Sequence, residues 1–121
     1  MGLSRTNQQG PYTQEATISP TTNDLYWAAG IFEGEGTVAV SRKPRWCTFA
    51  VSVSQKDPWI LYKFQNLFGG SVRTRGKKHP IWQWSAAGAR GRGFLMTMYK
   101  LLSPRRRVQA KAAIDRWLGR V

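Results

Sequence analysis

Ala28-Ala29-Gly30-Ile31-Phe32-Glu33-Gly34-Glu35-Gly36 is the stretch on which the reading of this chain turns. It opens with three consecutive small residues, and Gly30 and Gly34 lie four apart, on nearly one face of a helix. Such a face lets a second backbone approach closely, either another helix or the chain's own sheet. The acids at its end set it apart. Glu33 and Glu35 stand two residues apart in a chain with 19 Lys and Arg against 6 Asp and Glu. Glu35 falls at the C-terminal end of the helix, where the dipole disfavours a carboxylate. A carboxylate and an exposed Gly34 carbonyl, with water and phosphate oxygens, form the oxygen-only donor set that Mg2+ accepts.

The rest of the composition supplies a reason for such a cation. The net charge is +13 and the pI near 11.0. That excess is self-repelling unless a polyanion neutralises it. Nucleic acid is the usual partner, with an anionic membrane or a ribosomal role as competitors. The 121 residues suffice for one domain, and 41% hydrophobic content with six Trp allows a core. No apolar run is long enough to span a bilayer, and Met1 to Gln9 lacks a secretory apolar stretch, so an intracellular setting without secretion is expected. A single cysteine, Cys47, excludes an intrachain disulfide and a Cys-based zinc site.

Working outward, residues 1–21 are polar and Pro-containing without a period and read as a flexible arm, leaving 22–121 as the domain. Thr21 or Thr22 caps a helix with Asp24 in its first turn, ending at Gly34 or Gly36. Thr37 to Lys43 and Trp46 to Gln55 alternate, the second with Cys47, Phe49, Val51 and Val53 on its apolar side, and read as a hairpin. Asp57-Pro58 opens a helix carrying Ile60, Leu61, Phe64, Leu67 and Phe68, stopped by Gly69-Gly70. A second hairpin has Ser71, Arg73 and Arg75 on one face, a basic loop Gly76 to Pro80, and a return strand from Ile81 to Ala87. Two helices, roughly 90–102 and 105–118, close the chain around Ser103-Pro104. The fold class is therefore α+β, with helices on one face of an antiparallel sheet.

The other sheet face would carry Ser41, Lys43, Thr48, Ser52, Arg73, Arg75 and Gln83. These are donors suited to phosphates and base edges in a major groove, which admits a two-stranded ribbon. An ordinary solvated face is the bland alternative, less favoured with two such hairpins in so basic a chain.

Residues 28–36 resemble the signature of the LAGLIDADG homing endonucleases in its variant ending Asp/Glu-Gly-Glu-Gly, with Ala28 where that family usually has Leu. Gln55-Lys56, Phe68-Gly69-Gly70 and the Arg106-x-x-Gln109 spacing extend the likeness over roughly residues 23–119. The resemblance implies an αββαββα fold with a four-stranded antiparallel DNA-binding sheet. It also implies a site-specific endonuclease that makes a double-strand break in a long, partly palindromic duplex by metal-dependent phosphodiester hydrolysis. Glu35 matches the catalytic metal-binding acid and Gly34 the residue whose carbonyl approaches the metal, Mg2+ with Mn2+ as a substitute. Glu33 matches an acid that supports the helix end, and Gln55 a polar residue that orients water. Arg106 matches the active-site Lys, a departure, because an Arg stabilises charge but does not serve as a base. The nucleophile is then a metal-bound or ordered water.

Ser71, Arg73 and Arg75 match a strand that enters the major groove, with Lys77 and Lys78 in the adjoining loop. One motif copy implies a homodimer through the motif helix, with Trp27, Ala28, Gly30, Ile31 and Gly34 at the seam. Strands of about eight residues reach about 26 Å, so two subunits would read roughly 16–22 base pairs. The setting implied is the cytoplasm of a prokaryote or phage host, or an organelle, and host intron RNA is a further partner. The rival is a non-cleaving nucleic-acid-binding protein on the same fold, an intron-splicing maturase or a regulator. A ribosomal or RNA-chaperone role leaves the paired acids unexplained.

Other features rank lower. His79, the lone histidine, reads as a solvated loop residue, and Gly88 to Gly93 as a turn near the DNA backbone. Trp27, Trp59, Trp82, Trp84 and Trp117 read as core or interface residues. Arg105-Arg106-Arg107 opens the last helix against its dipole, which calls for a nearby anion.

Overall fold

The computed structural model describes residues 13–78 and 80–119. Helix α1 (Thr22–Glu35) starts at a reciprocal cap. The Asp24 amide donates to Thr21 Oγ1 at 3.1 Å and the Thr21 amide to Asp24 Oδ2 at 2.9 Å. The hairpin β1 (Gly36–Arg42) and β2 (Cys47–Gln55) follows, then α2 (Pro58–Phe68), whose first turn is capped by Asp57. Gly69 and Gly70 have φ of +72° and +100°. At Gly70 a Cβ would also lie 2.5 Å from the Ser85 carbonyl oxygen, so the turn into β3 (Ser71–Arg75) needs glycine on both counts. β4 (Ile81–Ala87) leads to α3 (Gly88–Met98), a 3₁₀ turn (Tyr99–Leu101) and α4 (Pro104–Leu118).

All pairings are antiparallel in the order β1-β2-β4-β3, so the two hairpins join along their inner strands β2 and β4. Alternation decides the layers. Phe49, Val51, Val53, Trp84 and Ala86 are buried beneath the helices. Phe64 of α2 is the hub, with ring centroids 5.2 Å from Trp27, 5.0 Å from Trp84, 5.8 Å from Phe68 and 6.0 Å from Phe94. The fold is α+β with helices on one face of a four-stranded sheet, as the sequence led us to expect.

Four details differ from the sequence reading. Gly88 to Gly93 is the opening of α3 and not a turn. Gly91 is there because a Cβ would meet the Ala86 carbonyl oxygen at 2.5 Å, so the helix lies against the sheet end. The helix read as 90–102 is α-helical only to Met98. Trp59, read as core or interface, is 57% exposed, which excludes the core half of that reading. The described part of the polar N-terminal segment is tied down. Gln14 exchanges two 2.8 Å backbone hydrogen bonds with Gly70, Thr17 and Ile18 donate to the Asn66 carbonyl, and Glu15 pairs with Arg90 at 3.0 Å. His79 lies outside the described residues.

Candidate active site and nucleic-acid interface

The carboxyl end of α1 meets the amino end of α4, and four side chains make the join. Glu33 accepts from the Ser103 amide at 2.8 Å on Oε1 and from the Ser103 hydroxyl at 2.7 Å on Oε2. The amide, the hydroxyl and, more weakly, the charges of Arg106 and Arg105 hold the Glu33 carboxyl below the usual carboxylate range, against a smaller opposing effect of burial. Ser103 Oγ also accepts from the Arg106 amide at 3.2 Å, capping α4. The Arg106 guanidinium turns back onto α1. Nε and Nη2 donate to the Glu33 carbonyl at 3.2 and 3.1 Å, and Nη2 to the Gly36 carbonyl at 2.8 Å. Nη1 donates to Gln109 at 2.8 Å. Arg106 is 8% exposed and lies 5.6 Å from the Phe32 ring centroid.

Glu35, two residues beyond Glu33, is exposed and makes no hydrogen bond or ion pair among the described residues. The other five acids are all engaged. Glu15 pairs with Arg90, Asp24 and Asp57 cap helices, Glu33 binds Ser103, and Asp115 pairs with Lys111 at 2.6 Å. The Gly34 carbonyl is not taken by the guanidinium that holds its neighbours. No cluster of three or more His, Cys, Asp or Glu occurs among the described residues, so one chain brings a single free carboxylate to this point. Gly36 pairs with Val53, so Ser54 and the half-buried Gln55 run past the start of β1, at the sheet end where α1 stops. No hydrogen bond joins Gln55 to Glu35 among the described residues.

The register assigns the open sheet face. Ser41 opposes Thr48, Ser52 opposes Ser85 and Arg73 opposes Gln83, all on the side away from Phe49 and Trp84. Arg75 shares that side. Lys43 sits in the β1–β2 turn, its amide donating to the Trp46 carbonyl at 2.7 Å, and Lys77 and Lys78 are exposed in the β3–β4 turn. Ser71 departs from this group. It is 4% exposed, its Oγ lies 3.2 Å from Ser85 Oγ, and Thr13 shares its small hollow.

The motif helix presents Tyr26 (60% exposed), Gly30 and Gly34 outward, and a Cβ at either glycine would meet nothing within 4 Å. Ala28 is fully buried in the chain's own core, not on that face. Trp27 is half-buried against Phe64 with Lys63 Nζ 4.3 Å from its ring centroid, and Ile31 is half-buried. Sequence reasoning missed Tyr26 and the bridging role of Ser103. Ser103-Pro104 is legible as a helix start, but nothing in the sequence pairs it with Glu33.

No family model and no curated protein matches the chain. Solved structures do. The homing endonuclease I-CvuI in complex with its target in the presence of Ca superposes with a TM-score of 0.59 at 18% identity, over 74% of this chain and 62% of its own. Its complex with the I-CreI target in the presence of Mg, with the DNA not cleaved, gives 0.58 over the same shares. The homing endonuclease I-TnaI gives 0.54 at 20% identity, over 78% of this chain and 69% of its own. This chain has the homing-endonuclease fold. It agrees with the resemblance carried by residues 28–36, although the chain spans only 62% of the length of I-CvuI.

Proposed function

We propose that this chain is a homodimeric, site-specific DNA endonuclease that hydrolyses phosphodiester bonds with a divalent cation. The observation that carries the reading is Glu35, the one acid of six left without a partner among the described residues, at a helix end where a carboxylate is disfavoured. An exposed carboxylate beside a backbone carbonyl suits a hard cation that keeps several waters, so Glu35 and Gly34 are assigned to hold Mg2+, with Mn2+ as a substitute. When bound, the cation supplies Lewis-acid polarisation and charge neutralisation at the scissile phosphate. Gln55 is assigned to orient the attacking water. Ser41, Thr48, Ser52, Gln83, Arg73 and Arg75 are assigned to the major groove, with Lys43, Lys77 and Lys78 on flanking phosphates. Ser71, buried on the same face, contributes through Ser85.

The open face of Tyr26, Gly30 and Gly34 is assigned to the twofold seam, with Trp27 and Ile31 at its edges. A seam there brings two Glu35 carboxylates together, one for each DNA strand, and their repulsion makes cation binding and dimer formation mutually reinforcing. The fold of DNA-bound homing endonucleases supports the choice of duplex DNA as partner.

The test is a plasmid carrying the uninterrupted host locus around this reading frame, incubated with Mg2+ and separately with Ca2+. Linear product in Mg2+ alone, abolished by Glu35→Gln while binding persists, is the expected result. Binding without cutting in any divalent metal would refute it and favour the non-cleaving alternative, which Arg106, held on backbone carbonyls, leaves in play.

A further inference from the structure

Arg106 occupies the position that the resemblance equates with an active-site cation, yet it is committed elsewhere. A guanidinium has five N–H donors, and here it makes four contacts to three acceptors within the chain. Two of those acceptors are the Glu33 and Gly36 carbonyls, which flank Glu35 and belong to the end of α1 that lacks helical donors. One Nη1 donor is left over, so to grip a phosphate with two donors Arg106 would have to leave these carbonyls and uncover a nearly buried charge. Its neighbour is differently placed. Arg105, one residue earlier in the first turn of α4, is exposed and has no hydrogen bond or ion pair among the described residues. Its charge helps to hold the Glu33 carboxyl low. A cation in a first helical turn is disfavoured by the dipole. The α1 carbonyls account for Arg106, whereas Arg105 has only the charge of Glu33, a carboxylate already bound by Ser103.

We propose that Arg106 is a positioning residue, fixing the end of α1 and with it Glu35, and that Arg105 is the cation this turn presents to a DNA phosphate. The proposal rests on the nuclease reading for its DNA but not for its readouts. Arg105 acts as a point charge, which Lys can replace. Arg106 acts as a planar fork across two carbonyls, which Lys cannot replace.

Two measurements on the full chain separate the roles. One is the slope of log affinity against log salt for a mixed-sequence duplex in Ca2+. The other is hydrogen exchange of the Gly34, Glu35 and Gly36 amides without DNA. Arg105→Gln should lower the salt slope of the dimer by about 1.8, the share of one phosphate contact in each of two subunits. Arg105→Lys should restore it, and neither variant should change exchange at residues 34–36. Arg106→Gln should quicken that exchange by roughly tenfold or more, with Arg106→Lys giving little rescue, and neither should reduce the slope. Lys100→Gln, in the groove between α3 and α4, is the control and should leave both readouts unchanged. A lower slope in Arg106→Gln, or unchanged exchange in it, overturns the proposal, as does an unchanged slope in Arg105→Gln. Failure of the wild-type chain to cut would refute the nuclease reading alone, because neither measurement depends on cleavage.

Discussion

Replacing Ser103 by Ala tests the join between α1 and α4 at its smallest component. The hydroxyl makes two bonds, accepting from the Arg106 amide at 3.2 Å and donating to Glu33 Oε2 at 2.7 Å. Loss of an N-cap hydroxyl costs about 1 kcal/mol. A hydrogen bond to a charged group is worth about 1.5 kcal/mol at the low end of its range, the appropriate end for a half-buried carboxylate. The Ser103 amide keeps its own 2.8 Å bond to Oε1, so the carboxylate is not left bare. Ser103→Ala should therefore lower unfolding free energy by about 2–2.5 kcal/mol at pH 7, read from urea melts of the DNA-free chain.

The pH dependence gives the sharper test. The folded Glu33 pKa lies below its unfolded value, so the stability it contributes is present above the unfolded pKa of about 4.3 and is lost as pH falls through the folded pKa. As pH falls through the folded pKa, the penalty of Ser103→Ala should shrink toward the capping share, about 1 kcal/mol. A double-mutant cycle with Glu33→Gln at pH 7 should return a coupling of about 1 kcal/mol. A penalty that does not change from pH 7 into the acid range, with no coupling, would refute the idea that the carboxylate holds the two helices together.

Other substitutions probe the core, the seam and the open face. Phe64→Ala removes the hub of the aromatic cluster and should cost about 3–5 kcal/mol in the same melts, a large share of a domain's stability. Gly30→Ala meets nothing within 4 Å and should stabilise the isolated chain by about 0.5–1 kcal/mol, while Gly30→Leu should shift the sedimentation profile from dimer to monomer. A Leu variant that sediments like the parent would remove the seam from this face. Lys77→Gln, in the turn beside the open face, should lower the salt slope of duplex binding by the dimer by about 1.8, and an unchanged slope would take Lys77 off the phosphates.

The strands are legible in the sequence because a sheet covered on one face imposes a period of two. Alternation alone places Phe49, Val51 and Val53 on one apolar side of β2, and that side is the buried one. The turn glycines at 69 and 70 are legible as stops because their role is equally local. Ala28 is harder, because three small residues in a row carry little hydrophobic contrast and leave the direction of the core undecided. Gly88 to Gly93 reads as a turn because glycine has poor helix propensity. Its helix is fixed by a tertiary demand, the close approach of Gly91 to the Ala86 carbonyl. The orientation of Arg106 has no sequence signal at all. Its acceptors on α1 and β1 are backbone carbonyls some 70 residues away, and a position in a motif does not say which way a guanidinium turns.

Arg106 has a counterpart at the far end of the same helix. Arg42 Nη1, at the end of β1, donates to the Arg116 and Trp117 carbonyls of α4 at 3.1 and 3.2 Å. An arginine thus ties β1 to α4 at each end: Arg106 of α4 reaches Gly36 at the start of the strand, and Arg42 at its finish reaches the C-terminal turn. A chain with 19 basic residues and 6 acidic ones has few carboxylates for interhelical ion pairs, and it uses helix-end carbonyls as acceptors instead. The same bonds fix α4 and the first sheet strand relative to the end of α1. For the proposed site, with one carboxylate per chain, this matters, because a catalytic group must be placed within about half an ångström. The orientation of α4 then couples β1 to Glu35, and if the chain is the nuclease proposed above, loosening either arginine should impair cutting more than binding.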